Sequence, residues 1–356
     1  MPIPVHGSRR MLRAWLVAFM WISVIPCLKG QELSGRAPRV VRYLLARPTL
    51  GLGGATEVAP SPGKGLAQHP FLYCGEWQQQ GKVEQTMYIV RGAKVVWTYS
   101  IPRQEELGDC TMLTNGNILF SRRTGAGEVT PEKKVVWSYE GPPHTEIHSV
   151  QPIDKDRVLL MQNGNPAKLM LINKVTGKVE KQLILETADP NHTHTQFRHV
   201  RMTKAGRLLV PHMDMGRVVE YDWSGKRLWS VAAPSAWAAV RLRNGDTLIS
   251  GNENGYVREV NSKGEIIWEI NANDLPGITL YTVQEADRLA NGNTVICNWP
   301  GRLPLSEWPK VVQVIEVTPS KKVVWALDDF EELGPASSIE LLDQPGVPES
   351  PGDLQR

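Results

Sequence analysis

The 356-residue sequence has few of the features that quickly assign a protein to a functional class. Its formal net charge is only +3, and no block of lysine and arginine stands out. Such a mild charge gives no electrostatic argument for nucleic acid binding. Of its four cysteines, Cys74, Cys110 and Cys297 occupy strand-like segments at positions where similar segments carry small or apolar residues. We therefore expect buried small side chains, at most one disulfide, and no zinc site.

Long hydrophobic runs and sustained helical periodicity are also missing. The apolar run at residues 14–26 is shorter than the about 20 residues that a membrane-spanning helix needs. It follows a basic segment, residues 8–13, and precedes Gly30, which is the pattern of a secretory signal peptide. The paired arginines in the basic segment leave twin-arginine export open as an alternative route. We predict an exported bacterial protein, periplasmic or extracellular, with no transmembrane span once the signal is removed.

The sequence does contain a repeated motif. A polar turn, usually with glycine, leads into a short strand that ends on tryptophan, and it alternates with a strand broken by an Asn-Gly turn. Asn-Gly favours the type I′ turn of a two-residue hairpin. Two alternating hairpins per repeat indicate the four-stranded blade of a β-propeller. The tryptophans are Trp97, Trp137, Trp229, Trp268 and Trp325, and the turns are Asn115-Gly116, Asn244-Gly245 and Asn291-Gly292.

The number of blades follows from counting these hairpins. Residues 71–99 supply the outer strands of a first blade without its innermost strand, and residues 338–342 form a strand without a partner. We predict that the C-terminal strand completes the first blade and closes an all-β, six-bladed propeller of four-stranded antiparallel blades, which leaves no open sheet edge. The other blades are assigned to residues 109–139, 148–184, 198–231, 237–270 and 283–326.

The same pattern divides the chain into segments. We predict a signal peptide over residues 1–30 and a tether rich in proline, glycine and arginine over residues 31–65. The propeller occupies residues 66–343, and residues 344–356 are expected to be a disordered tail.

Chain direction sorts the loops onto two faces of the propeller. The Asn-Gly and Gly-Lys turns share one face and are tight, whereas the connections on the other face are long. Because function on a rigid scaffold concentrates in its long loops, we predict a ligand site on the long-loop face, at the mouth of the axial channel. The long connections are residues 121–127, 141–147, 186–197, 211–215, 271–282 and 298–310.

Polar residues cluster at the predicted start of the innermost strands, where a purely structural propeller needs none. His148 and His199 open equivalent strands on adjacent blades, so they could converge as a binding or catalytic pair, or could tie strand ends together. With His212 they are candidate ligands of a divalent metal, although no short metal motif supports one and no other cofactor is expected. Arginine on this face suits a carboxylate or a sulfate. The predicted ligand-binding residues are Asp109, His148, His199, His212, Trp237, Glu285, Arg122 and Arg302.

Other residues of the long loops have plainer interpretations. His192 and His194 are expected to be loop histidines in solvent. Trp299 and Trp308 could stack on a sugar ring, or could hold their proline-rich loop against the blade. The tryptophans of the repeat are expected to dock neighbouring blades rather than to bind a ligand.

Two family resemblances rest on these residues. The segments at residues 176–179, 221–229 and 260–268 resemble the tryptophan-docking repeat of pyrroloquinoline-quinone-type propellers. The resemblance extends over about residues 70–343. That resemblance implies the fold but not the quinone, because the adjacent cysteine pair of the quinone enzymes is missing.

The second resemblance concerns two short strands. His148-Ser149-Val150-Gln151 and His199-Val200-Arg201 are similar to the histidine-bearing strands of bacterial arylsulfotransferase propellers. It implies that a channel-facing histidine accepts a sulfuryl group while arginines stabilise its oxygens. The candidate catalytic residues are His148, His199, Arg198 and Arg201.

The combined prediction is an exported binding module for an anionic or carbohydrate ligand. The alternatives are an enzyme, acting by sulfuryl transfer or by metal-dependent chemistry on an acidic sugar, and a scaffold that meets a partner protein at the propeller rim. No nucleic acid partner is expected.

Overall fold

The computed structural model describes residues 61–77, 81–253 and 255–353. They form six sheets, each of four antiparallel strands, which confirms the predicted six-bladed propeller. The predicted signal peptide and nearly all of the predicted tether, residues 1–60, lie outside the described residues. Within the described ranges, no helix has the length and apolar character that crossing a membrane requires.

Each blade begins with its innermost strand and continues outward from the channel. Blade 1 contains β24 (Ala336–Leu341), β1 (Phe71–Gly75), β2 (Glu84–Arg91) and β3 (Lys94–Pro102). Blade 2 contains β4 (Leu107–Met112), β5 (Ile118–Arg122), β6 (Gly125–Val129) and β7 (Val135–Glu140). Blade 3 contains β8 (Glu146–Pro152), β9 (Arg157–Asn163), β10 (Ala167–Asn173) and β11 (Val179–Leu185).

The remaining blades follow the same order. Blade 4 contains β12 (Arg201–Met202), β13 (Leu208–His212), β14 (Arg217–Tyr221) and β15 (Arg227–Ala232). Blade 5 contains β16 (Ala236–Arg241), β17 (Thr247–Gly251), β18 (Tyr256–Val260) and β19 (Ile266–Ile270). Blade 6 contains β20 (Thr282–Arg288), β21 (Thr294–Trp299), β22 (Val314–Val317) and β23 (Val323–Leu327). The one α-helix of the described residues, α1, spans Phe330–Leu333.

The ring closes where the two ends of the propeller meet. Strand β24 pairs antiparallel with β1, so that Tyr73 faces Ile339 and Phe71 faces Leu341. The innermost strand of blade 1 therefore comes from the C-terminal end of the chain, as the unpaired strand in the sequence predicted. This pairing covers the sheet edge that an open ring would expose.

The tryptophans of the repeat link each blade to the next segment around the ring. In four of them the indole N–H donates to a carbonyl outside its own blade, and the ring packs across the blade interface. The bonds run from Trp97 to Pro131 (2.8 Å), Trp229 to Ser262 (2.9 Å), Trp268 to Pro319 (2.8 Å) and Trp325 to Gly65 (3.0 Å). The last of these bonds shows that the end of the predicted tether, from Ser61, packs on blade 6.

The segment after β24 differs from the predicted disordered tail. Residues 344–353 form turns along the tight-turn face and hydrogen-bond to three blades. Gln344 accepts from the backbone N–H of Ala290, Glu349 accepts from Thr114, and Asp353 accepts from Arg243. These polar side chains satisfy donors on the blade turns, and composition alone could not reveal that match. Residues 354–356 lie outside the described part.

Within the described ranges, Cys74, Cys110 and Cys297 are buried free thiols, as their positions predicted. Burial raises the pKa of Cys74, Cys110 and Cys297. They contribute to the packing between strands and supply no reactive group.

We expect Trp325→Ala to lower the free energy of unfolding by about 3–5 kcal/mol, because it removes a fully buried indole. Trp268→Ala removes the same kind of interblade hydrogen bond from a ring that is only partly buried, so its loss should be clearly smaller. Urea unfolding followed by circular dichroism measures both. Equal losses of unfolding free energy in the two variants would show that the hydrogen bond, rather than burial of the indole, stabilises the contact between blades.

Candidate functional site

The long-loop face contains a cavity of about 710 Å³ at the mouth of the axial channel. Arg198, Trp237 and Gln284 form its buried floor, and Glu106 and His194 stand at one side. Trp299 and the neighbouring loop of blade 6 line the other side. A much smaller cavity, about 90 Å³, lies at the opposite end of the channel beneath residues 344–352.

Arg198 is the most unusual side chain of this floor. It is 2% exposed, and its guanidinium lies over the Trp237 ring, 4.7 Å from the ring centre. Nη1 donates to the carbonyl of Phe197 (3.0 Å) and Nη2 donates to Nε2 of His194 (3.1 Å). No carboxylate of the described residues forms an ion pair with it. Burial therefore lowers the pKa of Arg198, although the more distant charges of nearby carboxylates oppose that shift.

The floor also carries polar atoms without partners. Nε of Arg198, Nε1 of Trp237 and Oε1 of Gln284 are buried and make no hydrogen bond. The three residues are 2%, 7% and 3% exposed, respectively. An unsatisfied buried polar group costs about 1–3 kcal/mol, so such groups are few in a folded protein. These three atoms belong to residues that line the cavity.

Glu146 accepts hydrogen bonds from three side chains beside the cavity. Its Oε2 accepts from Nε2 of His148 (2.9 Å) and from Nδ1 of His194 (2.8 Å), and its Oε1 accepts from Arg123 (2.6 Å). Burial alone would raise the pKa of Glu146, but these hydrogen bonds and charges hold it far below its ordinary value. Burial, reinforced by Arg198, lowers the pKa of His148 to about 4. Glu146 is therefore an anion and His148 is neutral over the physiological range.

A second polar network crosses the channel between the two cavities. Arg201 donates to both oxygens of Asp109 (2.7 and 3.0 Å) and to Glu285 (3.4 Å). Glu285 also faces Nδ1 of His199 (3.3 Å). Burial would raise the pKa of Glu285, but the charges of His199 and Arg201 lower it. Arg201 is thus paired with two carboxylates, whereas Arg198 has no ion pair among the described residues.

The predicted site residues are thus distributed over several places. Trp237, Arg198 and Arg302 line the large cavity, and Arg302 is 90% exposed at its rim, where it pairs with Glu253. Asp109, Glu285 and Arg201 line the small cavity at the other end.

The predicted histidine set does not assemble into one cluster. His148 bonds Glu146, whereas His199 lies in the network around Glu285. His212 is buried inside blade 4, where it bonds the Tyr221 hydroxyl (2.9 Å), and burial lowers its pKa to about 3.

Arg122 is placed away from the cavity. It bonds Glu105 and Glu140 at the end of blade 2, so its charge is already compensated.

β-bulges explain why residues at equivalent positions of the innermost strands direct their side chains to different places. The innermost strands of blades 2, 3, 5 and 6 shift register at Leu107/Cys110, Ile147/Ser149, Ala236/Ala238 and Val283/Ala286. A bulge inserts unpaired residues and re-aims their side chains. The inserted positions include His148, Trp237 and Gln284, which is why strict strand alternation could not predict their directions.

Three cavity residues carry no clear signal in the sequence. His194 does not lie free in solvent, because a short helical turn, Thr193–Thr195, holds it between Arg198 and Glu146. Glu106 lies beside it, with a backbone φ of 48°. Gln284 lies on the floor, whereas its neighbour Glu285 points to the other cavity.

Trp308 holds its loop in place instead of facing a ligand. It is buried against Trp77 and Phe330, with ring centres 5.8 and 6.2 Å away. Trp299 packs on Trp308 and donates to the carbonyl of Glu76 (3.1 Å), yet it still lines the cavity.

Comparison with known proteins gives the fold and no activity. No protein-family model matches the chain, and no curated protein matches it. A solved protein of unknown function from Bacteroides caccae is 27% identical, with a TM-score of 0.68; the match covers 76% of this chain and 97% of that one. The relation to pyrroloquinoline-quinone-type and arylsulfotransferase propellers is not shown by these comparisons.

Two further solved structures are more distant. The WD40 β-propeller domain of Doa1 is 16% identical over 63% of this chain and 70% of its own, with a TM-score of 0.48. Virginiamycin B lyase from Staphylococcus aureus is 10% identical over 74% of this chain and 85% of its own, with a TM-score of 0.48.

Among the described residues, two groups of side chains have the composition of a metal site. They are Glu106, His148 and His194, and Asp109, His199 and Glu285, with potential ligand atoms within 4.8 Å of one another. A guanidinium adjoins each group, because Arg198 donates to His194 and Arg201 occupies both oxygens of Asp109. These donors use the lone pairs, and their positive charge repels a cation. We assign no metal to either group.

Elemental analysis of the purified propeller should therefore find no stoichiometric divalent metal. A variant with both His148→Ala and His199→Ala provides the matched comparison, since each substitution removes one potential ligand from one group. A divalent metal present at one equivalent in the native protein and absent from the variant would contradict our assignment.

Proposed function

We propose that this protein binds a small acidic sugar, or a closely similar polyhydroxylated carboxylate, in the cavity of the long-loop face. The observation that carries the proposal is Arg198, a buried guanidinium without a carboxylate partner and with an Nε–H that has no acceptor. An unpaired buried charge is strongly unfavourable. A bound anion would supply the missing partner.

The donors on the floor suit a carboxylate. Nε–H and Nη2–H lie on one edge of the guanidinium, which can bind both oxygens of a carboxylate side by side. The free Nε1–H of Trp237, whose ring lies under the same guanidinium, supplies a further donor. A sulfate would use the same donors, so both anions belong in the test.

The residues that line the cavity walls suit a ligand that also carries hydroxyl groups. Glu106 and Glu253 line the cavity and can accept from hydroxyls, while Trp299 and Tyr281 offer aromatic surface to a ring. The cavity volume of about 710 Å³ falls within the range of ~300–1,000 Å³ that is usual for small-molecule sites. One anionic group beside several hydroxyls is the composition of a sugar acid.

Sulfuryl transfer has less support from the geometry. It would require His148 or His199 to face the ligand, but both rings are buried and neither lines the large cavity. The arrangement favours recognition through Arg198.

Substitution Arg198→Gln should weaken uronate binding by ~10–150-fold, since a hydrogen bond to a charged group contributes about 1.5–3 kcal/mol. Isothermal titration with glucuronate, galacturonate, glucose and sulfate measures this loss and the preference for the anion. Arg302→Gln is the matched control: it removes an exposed rim arginine and should change affinity by less than about 5-fold.

The folding of the variant gives an internal check. Arg198→Gln removes a buried charge that has no ion-pair partner, so the melting temperature without ligand should not fall. Native affinity in the Arg198 variant, or binding of glucose alone, would contradict the proposal.

We also propose that the protein acts outside the cytoplasm, a proposal supported by the basic segment and the apolar run before Gly30. Expression of the full chain in a Gram-negative bacterium should place it in the periplasm, with a mature N-terminus after Gly30 in N-terminal sequencing. Replacing Arg9 and Arg10 by lysine distinguishes the two export routes, because the twin-arginine route alone needs the pair. An uncleaved cytoplasmic product from the native sequence would contradict export.

A further inference from the structure

We propose that the cavity is catalytic: His194 acts as a general base that removes the proton from the carbon next to a carboxylate held by Arg198. This inference rests on the proposed function, since it requires a carboxylate ligand on Arg198. It adds a reaction class, proton abstraction from a uronate, followed by elimination when the next carbon carries a sugar linkage.

The hydrogen bonds of His194 define its tautomer. A guanidinium can only donate, so Nε2 of His194, 3.1 Å from Nη2 of Arg198, is an acceptor without a proton. The ring proton of neutral His194 is therefore on Nδ1, which donates to Oε2 of Glu146 (2.8 Å). This arrangement directs the basic nitrogen toward the guanidinium and orients the ring from behind.

Glu146 is suited to this positioning role. Burial alone would raise its pKa, but its bonds to His148 and His194 keep that pKa far below the ordinary value, and Arg123 bonds its other oxygen. The carboxylate therefore stays charged when His194 takes up a proton. It can stabilise the imidazolium that proton transfer creates.

The position of Arg198 would bring a bound carboxylate next to His194, the proposed base. A carboxylate bound to Nη2 would lie close to Nε2 of His194, because that nitrogen is itself only 3.1 Å from Nη2. The bound carboxylate can also take the Nη2 donor that holds the histidine lone pair. Ligand binding would then release the base next to the proton that it removes.

The step balances without an oxidant, a reductant or a further reactant. The C–H bond breaks, the proton passes to Nε2 of His194, and the electron pair enters the carboxylate as an enediolate. Arg198 and the N–H of Trp237 neutralise the added charge. In a uronate whose linkage oxygen is on the next carbon, the pair forms a C=C bond and expels that oxygen, which receives the proton from His194.

No other histidine of the described residues has this placement. His194 alone among them lines the large cavity. His192, in the same loop, has a side chain that is 75% exposed and pairs with Asp189 at 3.2 Å. His192 is therefore a matched control of the same residue type.

The test uses the full propeller with pectate, alginate and hyaluronate, three polymers whose uronates carry a linkage on the required carbon. We expect at least one to give an unsaturated uronate, detected by the ultraviolet absorbance of the conjugated C=C bond. In deuterated water, mass spectrometry should detect deuterium next to the carboxylate of recovered substrate. His194→Gln should lower the rate by ~10²–10⁴-fold, the usual contribution of a general base, and His192→Gln should leave it unchanged.

Two further variants separate chemistry from structure. Added imidazole should partly restore the rate of His194→Ala, which a purely structural loss would not allow. Glu146→Gln should lower kcat with little change in KM, because Glu146 orients the base and does not contact the ligand.

Each negative result has a separate meaning. Arg198-dependent uronate binding without a double bond or deuterium would overturn the catalytic inference and leave the binding function standing. Failure of every uronate to bind would overturn both. Turnover that persists in His194→Gln would show that another group is the base.

Discussion

Closure of the ring is the constraint on which the other features of this structure rest. Strand β24, from the C-terminal end of the propeller, pairs with β1 and supplies the innermost strand of the first blade. Only then do all six innermost strands face one axis. The polar residues at their ends come from segments far apart in the chain: His199 contacts the carbonyl of Gly108, and Glu285 accepts from the backbone of Ile339. An open sheet would bring none of these groups together.

Two arginines of one segment, the buried Arg198 and the partly buried Arg201, have different partners in the closed ring. Arg201 is bound by Asp109 and Glu285, so its charge is compensated and it ties three blades together. Arg198, three residues earlier, has a histidine, a backbone carbonyl and an aromatic ring as partners, but no carboxylate. A buried charge without a direct ion-pair partner is unfavourable for the fold. The two side chains therefore differ in their surroundings: Arg201 belongs to the ion-paired network across the channel, whereas Arg198 lines the long-loop cavity without an ion pair among the described residues.

Several parts of this arrangement were predictable and others were not. Loop length and strand direction pointed to the face that carries the large cavity, and Trp237, Arg198 and Arg302 line that cavity. Arg122 and Arg201, predicted for the same face, lie elsewhere. The roles of His148, His199 and His212 did not follow, because their partners Glu146, Glu285 and Tyr221 come from tertiary contacts. The sequence around His194 gave no indication of a role, yet its hydrogen bonds to Glu146 and Arg198 place it beside the cavity. Its neighbours on the chain gave no sign of Glu146, which lies 48 positions earlier.

Local patterns in the chain were enough to establish the six-bladed fold, the blade boundaries to within a few residues, the closing strand and the docking role of the tryptophans. They were enough because hairpin turns and strand-ending tryptophans are signals that repeat. Folding in three dimensions was needed to show which polar side chains share the cavity, which arginine lacks a partner, and how residues 344–353 cover the other face. Those outcomes depend on β-bulges, which break the alternation of a strand, and on contacts between residues remote in sequence.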